Sequence, residues 1–489
     1  MASSWSEKIQ KKREARHEAI PTTWRIPAEV LAVLKTPIEG HQNNIIELDL
    51  VRKSGVLNSH ELDIIEKYTV EQLLCALVSG ALTAVEVTVA YSKRAAVAQQ
   101  LVWLLPFLET VGFQKGQLAG PFHGLSIGLK DSLQVAGSQA TLGFVSYLDH
   151  MSERNSHLVD VLLSLGAIVY VETNVPQPLA TVDSDNNIFG RTVNPWNTML
   201  GAGGSSGGEG ALVALYGSPL GVGTDVGGSI RIPSLCCRTY GFKPTASRVP
   251  RDLPDPPETQ LRIDVLPEDP RFTLHPTVKH TMNEAVRRLR AQCHTIIPLN
   301  VQKCYIADAT ETAWEFFMIN DAAYKHVAAG EESLVPSVIC THEIARNLEY
   351  RFIPDVNDRD RLSQLAVFRT MRALIIDEWR KIWVDHKLDL VLAPSAQSTA
   401  VKHDKVGLPA YTTLTNVLDY PSCVIPFLRA ETKACPDDIE IRPGQNVPEY
   451  GPDDVEGAPT SVQVFTRGMR DEECLHFALI VDECLRGSP

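Results

Sequence analysis

The residues best equipped for chemistry lie in one stretch, from Gly201 to Ser234: "GAGGSSGGEGALVALYGSPLGVGTDVGGSIRIPS". Bare glycine backbone approaches a ligand closely and adopts positive φ. Successive N–H groups in such a loop gather around a negative charge. In "DVGGSIR", Ser229 follows two glycines, so several N–H groups converge near its Oγ. Acyl transfer uses that arrangement, a nucleophile beside donors fixed for the developing oxyanion. The serine also needs a base. Histidine is the usual one, and His123 and His403 are candidates. Lys130, at the end of the strand-like run 125–130, is another. Burial favours the neutral amine of a lysine, and a neutral amine accepts a proton. Neither residue carries the assignment alone: a single lysine is ordinarily a solvated charge, and a glycine-flanked serine ordinarily a turn or helix cap.

Two other uses of the glycines fit less well. Phosphate binding lacks its signatures, since there is no GxxxxGK[ST] and no GxGxxG after a strand. A flexible linker would not contain "ALVALYGSPLGVGTDV", which is apolar and patterned. Ser229 is not in a GxSxG elbow either.

These residues need elements to hold them. The run 69–100 predicts two helices split at Gly80, the first starting at Thr69 with Glu71 and Gln72, the second with a Thr83/Glu86 capping box. A strand at 125–130 ends in Lys130-Asp131, and a helix leads into a strand at about 167–172. Short β-rich runs recur at 390–394, 423–427 and 461–465, between helical stretches at 276–292, 306–328, 358–386 and 471–486. This alternation implies an α/β fold, a mixed central β-sheet covered by helices on both faces. Residues 1–60 read as an N-terminal helical arm and 61–489 as one large domain; the Pro- and charge-rich 246–270 reads as a loop or linker.

The 489 residues carry a formal net charge of −13, which argues against a general nucleic-acid or anionic-membrane binder. Ten cysteines without a CxxC pair point to reduced thiols and a cytoplasmic protein, with neither a disulfide framework nor a metal site. There is no signal-peptide pattern and no apolar run of transmembrane length. The most apolar short run, "LVWLLPFL" at 101–108, reads as buried packing or an apolar pocket wall.

Taken together, "GLSIGLKDSLQVAG" and the Gly201–Ser234 stretch resemble the amidase signature family of serine hydrolases. So do "ETNVPQPL", "GFKPT", "LAPSAQ", "TNVLDYPSCVIPF" and "EGAPTSVQV"; the likeness covers most of 60–485 and is closest to the fungal acetamidase-type branch. The resemblance implies an amidase signature fold and a Ser–cis-Ser–Lys triad. Ser229 matches the nucleophile, Ser205 the bridging serine after a cis peptide, and Lys130 the base. N–H groups of Val226, Gly227, Gly228 and Ser229 match the oxyanion hole. Asp225 and Arg231 match a supporting polar pair, and Ser206 would cap or hydrogen-bond locally and help orient Lys130. The implied reaction is hydrolysis of a small-molecule linear carboxamide to acid and ammonia or amine, with no cofactor; members of the family often form homodimers.

Against the family pattern the chain is contracted near 99–116 and 250–262. Neither gap removes a triad residue, but both leave open an inactive amidase-fold paralogue. An acyltransferase or esterase on the same triad is a further alternative.

Overall fold

The computed structural model describes residues 5–102, 120–248, 260–348, 352–431, 435, 439, 441–442 and 444–487. The contraction near 250–262 therefore falls almost wholly outside the described residues, as do most of "LVWLLPFL" and of the contraction near 99–116. The chain divides into two compact units, Met1–Thr224 with Ala323–Val338, and Asp225–Ala322 with Ile339–Pro489.

The first unit opens with α1 (Trp5–Glu18), a charged helix whose Ile9 packs among Val145, Leu148, Ile188 and Phe189. After several short helices, the longest of them Ser59–Lys67, come α2 (Val70–Ser79) and α3 (Ala84–Val102). Thr69 and Gln72 form the capping box of α2, Gly80 ends it in the left-handed region, and the Thr83 and Glu86 side chains cap the start of α3. Strand β1 (Ser126–Lys130) follows, then α4 (His157–Ser164), β2 (Ile168–Thr173), α5 (Gly207–Ala214) and β3 (Leu220–Val222). The three strands form a parallel sheet in the order β2-β1-β3. All five residues of β1 are buried, as expected of a central parallel strand. Helices α3 and α5 pack on this sheet.

In the second unit the order is α6 (Arg231–Cys237), β4 (Gly241–Lys243), β5 (Arg262–Val265), α7 (Pro276–Ala291), β6 (Thr295–Pro298), α8 (Ile306–Met318), α9 (Arg361–His386), β7 (Leu390–Pro394), α10 (Ala410–Leu418), β8 (Ser422–Arg429), β9 (Pro459–Phe465) and α11 (Asp471–Arg486). Six strands make a mixed sheet, β6-β5-β7-β9-β8-β4, parallel on the β6/β5/β7 side and antiparallel through β9, β8 and β4. Helices α6, α7 and α11 pack on it. Trp379 of α9 is fully buried in the core, and its indole N–H donates to the Cys304 carbonyl at 2.9 Å. The α/β class expected from the sequence is what the chain adopts: among the described residues the strands form this parallel sheet, this mixed sheet and two short antiparallel pairs within 185–201.

Two expectations need correction. The stretch 246–270 is not all loop: β5 lies within it, between β6 and β7. Prolines and charges masked its alternation, in which Leu261, Ile263 and Val265 are the apolar members. Its one buried charge, Asp264, is bonded to His386 Nδ1 at 2.5 Å. The run 306–328 is two helices rather than one, because the Asn320 side chain accepts from the Ala322 N–H and starts a new turn there.

Helix α5 seats against β2 through glycine. A Cβ on Gly208 would lie 2.4 Å from the Asn174 amide nitrogen and 2.7 Å from its carbonyl oxygen, both backbone atoms that cannot rotate aside. Gly208→Ala should therefore destabilise the protein by about 2 kcal/mol, as overpacking does; the midpoint of urea unfolding reads it.

Candidate active site

The geometry of the first unit centres on Lys130. It ends β1, its side chain is fully buried, and Nζ donates to Ser205 Oγ at 2.7 Å. The same nitrogen lies 2.8 Å from Thr224 Oγ1 and 3.4 Å from the Thr224 carbonyl. Ammonium held this deep needs anionic compensation, whereas hydroxyl and carbonyl partners also suit an amine. Ser205 is itself only 2% exposed and follows a cis peptide, Gly204–Ser205, as the family resemblance implies. The turn is tight: a Cβ on Gly204 would fall 2.3 Å from the Asp183 carbonyl oxygen, and Ser184 Oγ donates to the Gly203 carbonyl at 2.9 Å. Ser206 precedes α5 without capping it; its hydroxyl reaches the Thr224 carbonyl at 3.4 Å. Thr224 was not singled out from the sequence, although it stands directly before Asp225 in the motif.

In the second unit the loop 225–230 is shaped by one buried ion pair. Arg231 has no exposed surface, and its guanidinium meets Asp225 in two bonds, Nε to Oδ2 at 3.0 Å and Nη2 to Oδ1 at 2.9 Å. The remaining guanidinium donors reach Thr415 and Gln463 from Nη1, and the Thr412 carbonyl and Asn416 from Nη2. The Asp225 carboxylate in turn accepts from the N–H groups of Gly228 at 2.8 Å, Ile230 at 3.1 Å and Arg231 at 3.3 Å. Burial by itself would raise the Asp225 pKa. The arginine and these donors outweigh burial and hold the carboxyl well below its usual range.

This pairing redistributes the expected oxyanion donors. The Gly228 N–H is spent on Asp225, so Gly228 is a shaping residue: its φ is +127°, and a Cβ there would lie 2.3 Å from Thr412 Oγ1. The N–H groups of Val226, Gly227 and Ser229 make no hydrogen bond among the described residues. Thr412 and Thr413 hydroxyls donate to the Gly227 carbonyl and fix the orientation of that peptide.

Comparison with known proteins gives the family and the fold. The family model described as Amidase matches residues 86–256 and 254–475. The chain belongs to the amidase family. An amidase of Gibberella moniliformis is 31% identical over 99% of each chain, and an acetamidase of Aspergillus oryzae 30% identical over 99% of each. Among solved structures, fatty acid amide hydrolase superposes with a TM-score of 0.84 at 24% identity, covering 98% of this chain and 95% of that one. A 6-aminohexanoate cyclic dimer hydrolase gives 0.66 at 18% identity, over 87% of this chain and 98% of the other. The family's fold is thus this chain's fold. Among the described residues no helix is long and apolar enough to cross a membrane.

The Asp225–Arg231 pair predicts an acid sensitivity with a definite sign. A carboxyl held below its unfolded value contributes stability that is fully present above about pH 4 and is lost as pH falls through the folded value. Asp225→Asn should lower stability at pH 7 by about 3 kcal/mol, because it leaves Arg231 buried and unpaired, and should flatten the fall in stability below pH 4. Chemical denaturation repeated across pH measures both.

Proposed function

We propose that this amidase hydrolyses linear carboxamides to the carboxylic acid and ammonia or amine through an acyl-enzyme on Ser229. The observation that carries the reading is the buried 2.7 Å bond between Lys130 Nζ and Ser205 Oγ. Neutral Lys130 takes the Ser205 proton as Ser205 takes the Ser229 proton, and Ser229 Oγ attacks the substrate carbonyl carbon. The N–H groups of Val226, Gly227 and Ser229 supply the donors for the oxyanion, since their hydrogen bonds are otherwise unspent among the described residues. Collapse of the tetrahedral species breaks the C–N bond. The proton returns from Lys130 through Ser205 to the leaving nitrogen, which makes a poor leaving group a good one. Water then attacks the ester by the same relay and frees the acid.

The substrate reading is a short linear acyl amide. Its support is the full-length similarity to acetamidases from Aspergillus oryzae and Emericella nidulans.

Ser229→Ala and Lys130→Ala should each lower kcat for a linear carboxamide by about a thousandfold or more, because the residues act as one unit. Ser205→Ala should cost the same order. A panel of amides of graded acyl length, with a fluorophosphonate label followed by mass spectrometry, tests the assignment. Unimpaired hydrolysis by Ser229→Ala would overturn it. Absence of both labelling and turnover in folded protein would mark an inactive member of the family, and ester or hydroxamate formation in the presence of alcohol or hydroxylamine would mark acyl transfer.

A further inference from the structure

Glu209 lies four residues after Ser205, in α5, and the reaction as described does not use it. Its side chain enters a slot in the parallel sheet. Gly128 of β1 and Gly221 of β3 are register partners, and Cβ atoms added there would fall 3.0 Å and 2.2 Å from Glu209 Oε2. Two glycines side by side on neighbouring strands thus leave the space the carboxyl fills. Gly128 is two residues before Lys130, so both face the same side of β1. On the other flank, the Thr173 hydroxyl donates to Glu209 Oε1 at 2.8 Å, and Thr173 is the residue of β2 that pairs with Lys130. Oε2 has no hydrogen-bond partner among the described residues. A carboxyl is therefore built into the sheet beside the buried amine.

We propose that Glu209 is the positioning residue for the base, a carboxyl whose charge governs whether Lys130 is an amine free to accept from Ser205. With the proton on the carboxyl, Lys130 is an amine and the relay is open. With the carboxyl ionised, its charge favours the ammonium and the base is blocked. The surroundings favour the open arrangement. Burial pushes Glu209 up to about 8, with the Thr173 hydroxyl and the Lys130 charge pulling in the opposite direction. Few other charges compete for it. From β2, α5 meets Tyr170, whose phenol burial raises well above its usual value; from α3 it meets Tyr91, pushed up to about 12 by burial. Both stay uncharged near neutral pH. Arg94 of α3 is engaged by the Leu215 carbonyl at 2.6 Å and by Glu66 at 3.1 Å, and β3 brings no titratable group.

This inference rests on Lys130 being the base, and it has a test that does not. In full-length protein carrying 13C at the glutamate side-chain carboxyl, the Glu209 resonance is identified by its loss in Glu209→Gln and followed with pH. Lys130→Met removes the ammonium that favours the carboxylate, so the Glu209 midpoint should move up by about one pH unit or more. Thr173→Val removes a donor to the carboxylate and should move it the same way, which keeps the test open if one variant fails to fold. An identical midpoint in folded Lys130→Met would overturn the proposal. Kinetics gives the matching readout: Glu209→Gln cannot hold the proton on Lys130, so the acid limb of kcat/KM should shift about one pH unit lower. A superimposable pH profile in an active variant would overturn the inference and leave the serine mechanism standing. A chain with no amidase activity at any pH but a shifted Glu209 midpoint would do the reverse.

Discussion

A lysine with no exposed surface at the end of a parallel strand is the constraint around which the first unit is arranged. Lysine is rarely fully buried, because an ammonium there loses its hydration. Here the surrounding sequence makes room for it. Strand β1 is buried along its whole length, the cis turn at Gly204–Ser205 brings a hydroxyl to Nζ, and Thr224 offers a second hydroxyl from the other side. The glycines have a reason at each place: Gly204 lets the turn pass under the Asp183 carbonyl, and Gly208 lets α5 lie on Asn174. Steric demands of this kind explain a glycine-rich stretch that is neither a linker nor a phosphate loop.

The second unit solves a different problem, fixing the shape of the loop 225–230. A buried aspartate could not do this alone, and Arg231 supplies the compensation. The pair is worth little as a net source of stability, since desolvation offsets much of the attraction. Its effect is geometric. Asp225 gathers the N–H groups of Gly228, Ile230 and Arg231, and those of Val226, Gly227 and Ser229 are left over among the described residues.

How far the sequence disclosed this depends on whether the signal was local. Helix boundaries at Thr69, Gly80 and Thr83 were legible because a cap is written within four residues, and "SIGLK" because buried parallel strands read as apolar runs. The contact of Lys130 with Ser205 was to be expected only through the family resemblance, since spacing alone leaves a lysine and a serine ambiguous. Strand β5 was hidden by prolines flanking four residues of weak alternation. The commitment of the Gly228 N–H was invisible because an aspartate three residues earlier can take that bond or not, depending on whether an arginine holds it. Glu209 was overlooked for lack of a motif, although one acid in a run of glycine and apolar residues deserved the question. Thr415, Asn416 and Gln463 were within segments that matched the family, but their partner, Arg231, is about two hundred residues away in sequence.

That long separation bears on how the protein is made. Arg231 and Asp225 leave the ribosome well before the groups that complete the arginine's hydrogen bonds, which lie between Thr412 and Gln463. Until those residues emerge, the guanidinium lacks its interior partners and the 225–230 loop has only its own Asp225 bonds to shape it. A nascent chain that already displays Ser229 thus lacks the full set of contacts on Arg231, and the loop is completed only after Gln463 has emerged.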